Sequence, residues 1–104
     1  MEFKEIKVVT ICGSMKFVDK MIKTAFELER EYGWCVLQCV YDFDKTHITQ
    51  EEMEKIKLAH YKRIEISDAI YVLNIDGYIG ESVKNEINFA QQHNIEVIYH
   101  QTAK

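Results

Sequence analysis

Apolar and polar residues follow one another in blocks that predict four strands and three helices. The predicted strands are short, nearly continuous apolar runs at 6–12, 34–40, 69–74 and 95–99. Such runs are typical of strands that are buried on both faces. Between the strands, apolar residues recur at spacings of three and four, which predicts amphipathic helices over 14–32, 49–67 and 82–93.

The alternation of strand and helix predicts a parallel sheet with right-handed crossovers and with helices on both faces. We expect one α/β domain over 1–104, a three-layer sandwich around about four strands. In open sheets of this kind, ligands bind outside the carboxyl ends of the strands. Those ends carry Gly13 and Ser14, the segment 41–44 and the loop 76–82. Functional residues are therefore expected there.

Composition narrows the classes of partner. The net charge is −4 and the sequence pI is about 5.5, so no basic stripe is available for a nucleic-acid polymer. A small phosphorylated ligand needs only a local nest of amides and one or two cations. No apolar run approaches the roughly 20 residues that span a bilayer. Three cysteines in a chain without an export signal predict reduced thiols and a cytoplasmic location.

Glu86 is an acidic residue in an unexpected position. On a helix over 82–93, at about 100° per residue, it falls in the arc that also holds the apolar residues Val83, Ile87, Phe89 and Ala90. Burying a carboxylate is costly unless it is hydrogen-bonded. Two explanations stay open at this point: a catalytic carboxylate, or a first-turn glutamate that caps helix amides.

Two helix starts are candidates for anion binding. Ser82 is a natural N-cap, and the amides of 82–85 would form an anion-binding terminus. Ser14 marks a second helix start, where Lys16 could neutralise a ligand phosphate. Ordinary βα turns with a solvated lysine are the alternative. The Walker and dinucleotide patterns do not match, so we expect no nucleotide cofactor.

Histidines and cysteines follow no metal-binding pattern such as HExxH or CxxC, so we expect no metal site. His60 lies on the apolar face of the second helix, which predicts a hydrogen-bonded core histidine. Cys12 would act as a nucleophile only beside a base, and the sequence supplies none nearby.

Two stretches, ICGSMKF at 11–17 and SDAIYVLNIDGYIGESVKNEINFA at 67–90, resemble the nucleoside 2-deoxyribosyltransferase-like family. The resemblance covers nearly the whole chain in the order of its elements. It implies a flavodoxin-like, Rossmann-like sandwich that cleaves the N-glycosidic bond of (deoxy)nucleosides or nucleoside 5'-monophosphates, by hydrolysis or by transfer to another base. Family members also form dimers or larger homo-oligomers, which we expect here as well.

The resemblance also assigns roles to residues. The family pattern GxE(L/I)xxA places Glu86 as the nucleophile that attacks the anomeric carbon. Asp68, at the start of the third strand, matches a family aspartate that contacts the base and assists its departure. The glycine of that pattern is absent, and Thr10 stands where the family often has a tyrosine that orients the nucleophile. A nucleotide-binding module without turnover is therefore the alternative. The residues expected to hold the sugar phosphate are Gly13, Ser14, Lys16, Gly80, Glu81 and Ser82.

Overall fold

The computed structural model describes residues 2–102, so residue 1 and residues 103–104 of the predicted domain lie outside it. Four strands form a parallel sheet in the order β2-β1-β3-β4: β1 (Val8–Cys12), β2 (Cys35–Leu37), β3 (Ala69–Val72) and β4 (Glu96–Tyr99). The helices are α1 (Val18–Tyr32), α2 (Gln50–Glu65) and α3 (Glu81–Gln92). This confirms the predicted flavodoxin-like α/β fold. Within the described range, no helix has the length and apolar character needed to cross a membrane.

The helices cover both faces of the sheet. Helix α1 packs on one face, where the core consists of Ile11, Met21, Ala25, Leu28, Val36 and Leu73. Helices α2 and α3 pack on the other face, where the core consists of Cys12, Ile64, Ile70, Val72, Val83, Ile87 and Ala90. Because neighbouring residues of a strand point to opposite faces, Ile11 belongs to the first core and Cys12 to the second.

The strand order creates a switch point between β1 and β3. From β1, the chain passes through α1 on one face to β2, and then through α2 on the other face to β3. The connections therefore diverge from the carboxyl ends of β1 and β3. A crevice opens at such a point and is the usual ligand site of open parallel sheets.

Two of the predicted helix boundaries are confirmed by their capping geometry. At the start of α2, Thr49 Oγ1 accepts the Glu52 N–H at 3.1 Å, and Glu52 Oε1 accepts the Thr49 N–H at 2.9 Å. This reciprocal pair is a capping box. At the end of α1, Gly33 adopts a left-handed φ of 68°, and its N–H donates to the Glu29 carbonyl at 2.9 Å. Glycine is the residue that adopts this conformation at least cost.

Other boundaries differ from the prediction. The helix expected from Ser14 starts with a 3-10 turn at Met15–Phe17, where the Ser14 hydroxyl accepts the Lys16 N–H at 3.3 Å. The predicted N-cap role of Ser82 is wrong, because Gly80 is the N-cap and its carbonyl already accepts the Lys84 N–H at 3.0 Å. The amides at the start of α3 are therefore those of 81–83 rather than 82–85. Strand β2 is shorter than expected, since it pairs with β1 over only three residues.

Candidate active site

A cavity of about 520 Å³ opens at the carboxyl ends of β1 and β3. Its walls come from the segment after β1, from one side of α2, and from the loop and first turns of α3. The volume lies within the range of about 300–1,000 Å³ that is typical of small-molecule sites. The cavity therefore lies at the sheet edge where the sequence predicted a ligand site.

Glu86 stands on the α3 wall of this cavity. Its side chain is 13% exposed, and its Oε1 lies 3.4 Å from His60 Nε2. Val83, Ile87 and Ala90 on the same helix are buried, which confirms that this arc of α3 faces the sheet. The carboxylate contacts an imidazole of the neighbouring helix rather than the amides at its own helix start. Of the two explanations, the capping role is therefore not the one that its contacts show.

His60 supplies, from α2, a group that the sequence did not identify as functional. Its side chain is 10% exposed and lines the cavity, and Nε2 faces both Glu86 Oε1 and Cys12 Sγ. Burial lowers the pKa of His60, but the nearby Cys39 and Glu86 outweigh this effect and raise the pKa to about 9. The Glu86 carboxylate thus favours the charged form of the imidazole.

Cys12, the last residue of β1, completes a cluster with these two side chains. Its side chain is fully buried, and its Sγ lies 3.7 Å from His60 Nε2. Burial, and then the negative charge of Glu86, raise the pKa of the Cys12 thiol well above its usual value. The thiol is thus protonated, and Glu86 is the better nucleophile of the two. The sulfur, one imidazole nitrogen and one carboxylate oxygen lie within 4.8 Å of one another; we call them the Cys12–His60–Glu86 cluster.

The structure brings most of the predicted phosphate-binding residues to the cavity. Those that line it are Gly13, Ser14, Gly80, Glu81 and Ser82. Lys16 lies outside the lining, with its Nζ 3.4 Å from the centroid of the Tyr78 ring. Gly13 allows a close approach between β1 and α1, because a Cβ at this position would lie 2.7 Å from Met21 Sδ. The backbone can therefore turn from the strand end into the cavity wall.

Two cations of α2 that the sequence did not single out also line the cavity, Lys57 and Arg63. Arg63 Nη1 is buried and finds no hydrogen-bond partner within residues 2–102. From the sequence alone, a lysine or arginine on an amphipathic helix is expected to face solvent. Only the packing of α2 shows that Lys57 and Arg63 face the cavity. Together with the amides of 81–83, they give the cavity groups that attract an anion.

Asp68 is not brought to the cavity. It lies just before β3, at the amino end of the sheet, where its Oδ2 accepts the Val8 N–H at 2.8 Å. Its own N–H donates to the Val8 carbonyl, also at 2.8 Å. The carboxylate thus joins the starts of β1 and β3. The predicted contact between Asp68 and a base beside Glu86 is contradicted by this position.

Thr10 does not take the place of the orienting tyrosine. Its side chain is fully buried, its Oγ1 donates to the Arg63 carbonyl at 3.1 Å, and it lies 2.7 Å from Ser67 Oγ. The hydroxyl is therefore used in joining β1 to the end of α2. The group that contacts Glu86 is His60 instead.

Comparison with known proteins assigns no relative: no family model matches the chain, and no curated protein matches it. The resemblance to the nucleoside 2-deoxyribosyltransferase-like family therefore stays a prediction, as does the homo-oligomer. The fold and the cavity define an α/β protein with an acid–imidazole pair at its switch point.

Proposed function

We propose that this protein cleaves the N-glycosidic bond of a (deoxy)nucleoside or nucleoside 5'-monophosphate, with Glu86 as the nucleophile. The observation that carries the proposal is the position of the Glu86 carboxylate. It is nearly buried, paired with His60, and stands on the wall of a ligand-sized cavity at the switch point. An open parallel sheet places its reacting groups at this edge.

The proposed reaction has two displacements. A carboxylate oxygen of Glu86 attacks the anomeric carbon, the bond to the base nitrogen breaks, and the base leaves with that electron pair and takes up a proton from water. The resulting glycosyl ester is then resolved by water or by a second base, which restores the carboxylate. Dividing the displacement into two steps is the logic of retaining glycosidases.

His60 orients the nucleophile in this scheme. Its Nε2–H donates toward Glu86 Oε1 and holds the carboxylate at the cavity wall. Because the side chains come from two packed helices, their mutual geometry is set by the core rather than by a flexible loop. His60 would thus do the work that a tyrosine does in the family that the chain resembles.

The rest of the cavity suits the two ends of such a substrate. The amides of 81–83 and the cations Lys57 and Arg63 would hold a 5'-phosphate. The base would lie against the apolar part of the lining, which includes Met15, Met53 and Ile56. These three side chains are 37–52% exposed, so they offer apolar surface for a ring to cover.

The test is to incubate the protein with a panel of nucleosides and nucleoside 5'-monophosphates and to measure free base by chromatography. We expect Glu86→Gln to lower the rate of release by at least about 10³-fold, because the covalent step is lost. Glu54→Gln, on the exposed side of α2, is the matched control and should keep the parental rate. Equal rates in the parent and Glu86→Gln would contradict the assignment of Glu86.

The second candidate function is nucleotide binding without turnover. It is favoured by Thr10, which stands where the family that the chain resembles often has a tyrosine that orients the nucleophile. The Thr10 hydroxyl is hydrogen-bonded to the Arg63 carbonyl and the Ser67 hydroxyl and does not contact Glu86. Calorimetric binding of a monophosphate, with no base released over long incubation, would support this candidate over the enzyme.

If base is released, a second free base distinguishes transfer from hydrolysis, because only transfer yields an exchanged nucleoside. We also propose a cytosolic setting for the reaction. The free thiols of Cys12, Cys35 and Cys39 are in keeping with a reducing compartment.

A further inference from the structure

The Cys12–His60–Glu86 cluster joins three kinds of metal ligand from three elements, β1, α2 and α3. Thiolate, imidazole and carboxylate together are ligands that Zn²⁺ accepts in proteins. The three residues are far apart in the sequence, since His60 lies 48 positions after Cys12. A search for local patterns such as HExxH or CxxC therefore does not find them.

Two distances within the cluster match those of a tetrahedral zinc site, and the third ligand pair, Cys12 and Glu86, lies within 4.8 Å. Zn²⁺ binds sulfur at about 2.3 Å, nitrogen at about 2.0–2.1 Å and oxygen at about 2.0–2.2 Å, so its ligands are about 3.6 Å apart for S···N and about 3.4 Å apart for N···O. The Cys12 Sγ to His60 Nε2 distance is 3.7 Å, and the His60 Nε2 to Glu86 Oε1 distance is 3.4 Å. Both edges agree with the tetrahedral values to about 0.1 Å.

The ligands are held in place before an ion arrives. Cys12 is fixed in a buried strand, while His60 and Glu86 are nearly buried on two helices that pack against each other. Little side-chain entropy is therefore lost on binding. Because His60 and Glu86 also line the cavity, the fourth position of the ion would open toward it. Three protein ligands with an open fourth position is the pattern of accessible zinc sites.

We propose that Cys12, His60 and Glu86 form a binding site for a thiophilic divalent cation of the Zn²⁺ type. Binding would deprotonate the Cys12 thiol and the His60 imidazolium and release those protons to solvent. It would also place a cation on the Glu86 carboxylate, which withdraws electron density from both oxygens and weakens their attack on an anomeric carbon. That last consequence rests on the proposed function, whereas the metal site itself does not.

The experiment uses the reduced full chain, freed of metal with a chelator and titrated with Co²⁺. We expect one equivalent to bind with the intense visible absorption of tetrahedral Co²⁺ and with a thiolate-to-cobalt charge-transfer band, and Zn²⁺ to displace it. Cys12→Ser should abolish the charge-transfer band. Glu86→Gln should weaken binding by more than about tenfold, since even partners outside the coordination shell cost about 10–100-fold. Cys35→Ser, at an exposed cysteine, is the matched control and should behave like the parent.

Several results would overturn the metal site: absence of stoichiometric binding, the weak absorption of octahedral Co²⁺, or a charge-transfer band that persists in Cys12→Ser. Circular dichroism checks that each variant is folded. If Cys12→Ser does not fold, Glu86→Gln at the cavity edge decides the question instead, because unchanged affinity there overturns the proposal. None of these measurements uses a substrate, so the site can fail while the N-glycosidase proposal stands, and the reverse.

Discussion

At the amino end of the sheet, Asp68 accepts the Val8 N–H at 2.8 Å, and Lys7 Nζ lies 2.7 Å from Glu96 Oε1. At the carboxyl end, the Glu86 carboxylate faces an imidazole beside a cavity, and a nitrogen of Arg63 is buried there with no partner between residues 2 and 102. Carboxylates thus occur at both ends with different surroundings. The one at the amino end joins two strands, whereas the one at the carboxyl end is left available to a ligand.

The difference follows from the direction of the strands. A parallel strand begins with an N–H that can donate to a nearby carboxylate, as the Val8 N–H donates to Asp68. At the other end, the strands run into helix starts whose amides and side chains surround the crevice. We therefore expect substitutions at the carboxyl end to change chemistry, and substitutions at the amino end to change stability alone.

After Glu86→Gln, the largest effect is expected for His60→Gln. Without the imidazolium, Glu86 loses the partner that holds its carboxylate at 3.4 Å. A misplaced nucleophile costs about 10²-fold, so base release should fall by about that factor in kcat, with a smaller change in KM. His47→Gln, at an exposed histidine, is the control and should match the parent. A loss confined to KM, or no loss at all, would contradict the positioning role of His60.

Part of this picture could be predicted from the sequence. The inward arc of α3 is a local periodic pattern, so the position of Glu86 followed from residues within two turns of it. His60 was placed correctly on a buried face, but its partner lies on another helix. Whether a buried histidine meets an apolar core or a carboxylate depends on how α2 packs against α3, which no local pattern encodes.

The position of Asp68 can be predicted from strand direction, and this prediction differs from the one that the family resemblance implies. The residue precedes β3, and in a parallel sheet the positions before the strands lie at the edge opposite to the ligand site. Strand direction alone therefore separates Asp68 from Glu86. The resemblance assigned both residues to one substrate, and the structure supports the assignment of only Glu86 to the cavity.

A second, smaller effect is expected for Asp68→Ala at the amino end. Removing the acceptor of the Val8 N–H should lower the free energy of unfolding by about 1 kcal/mol, the usual net contribution of one hydrogen bond. Urea denaturation measures this change. Base release by the folded variant should stay within about twofold of the parent, since a shift of that size is far below the loss of a catalytic group. A tenfold or greater fall in rate would instead return Asp68 to the active site and break the contrast between the two ends.

The smallest effect, a change in stability, is expected at the start of α2. This helix start lies at the carboxyl edge of the sheet, but its amides are hydrogen-bonded within its own capping box. The Thr49 N–H donates to the Glu52 carboxylate, and this hydrogen bond lowers the pKa of Glu52 in the folded protein. A lowered folded pKa gives stability that is present above the unfolded value, about 4.3, and is lost as the pH falls through the folded value. Thermal melts should therefore show Glu52→Gln slightly less stable than the parent at about pH 6, with a smaller difference between the two proteins at about pH 3.

A gap in melting temperature that is the same at both pH values would contradict this assignment, because an uncharged glutamine resembles the protonated glutamate at all pH values. Base release should not differ between the parent and Glu52→Gln at about pH 6. The Glu52 carboxylate is hydrogen-bonded to the start of its own helix, and it is the neighbouring Met53 and Ile56 that line the cavity. The α2 start would then behave like the amino end of the sheet despite lying at the opposite edge. The two kinds of carboxylate therefore differ in whether a backbone N–H already donates to them. The position of a carboxylate at the sheet matters because it determines which N–H groups lie within hydrogen-bond distance.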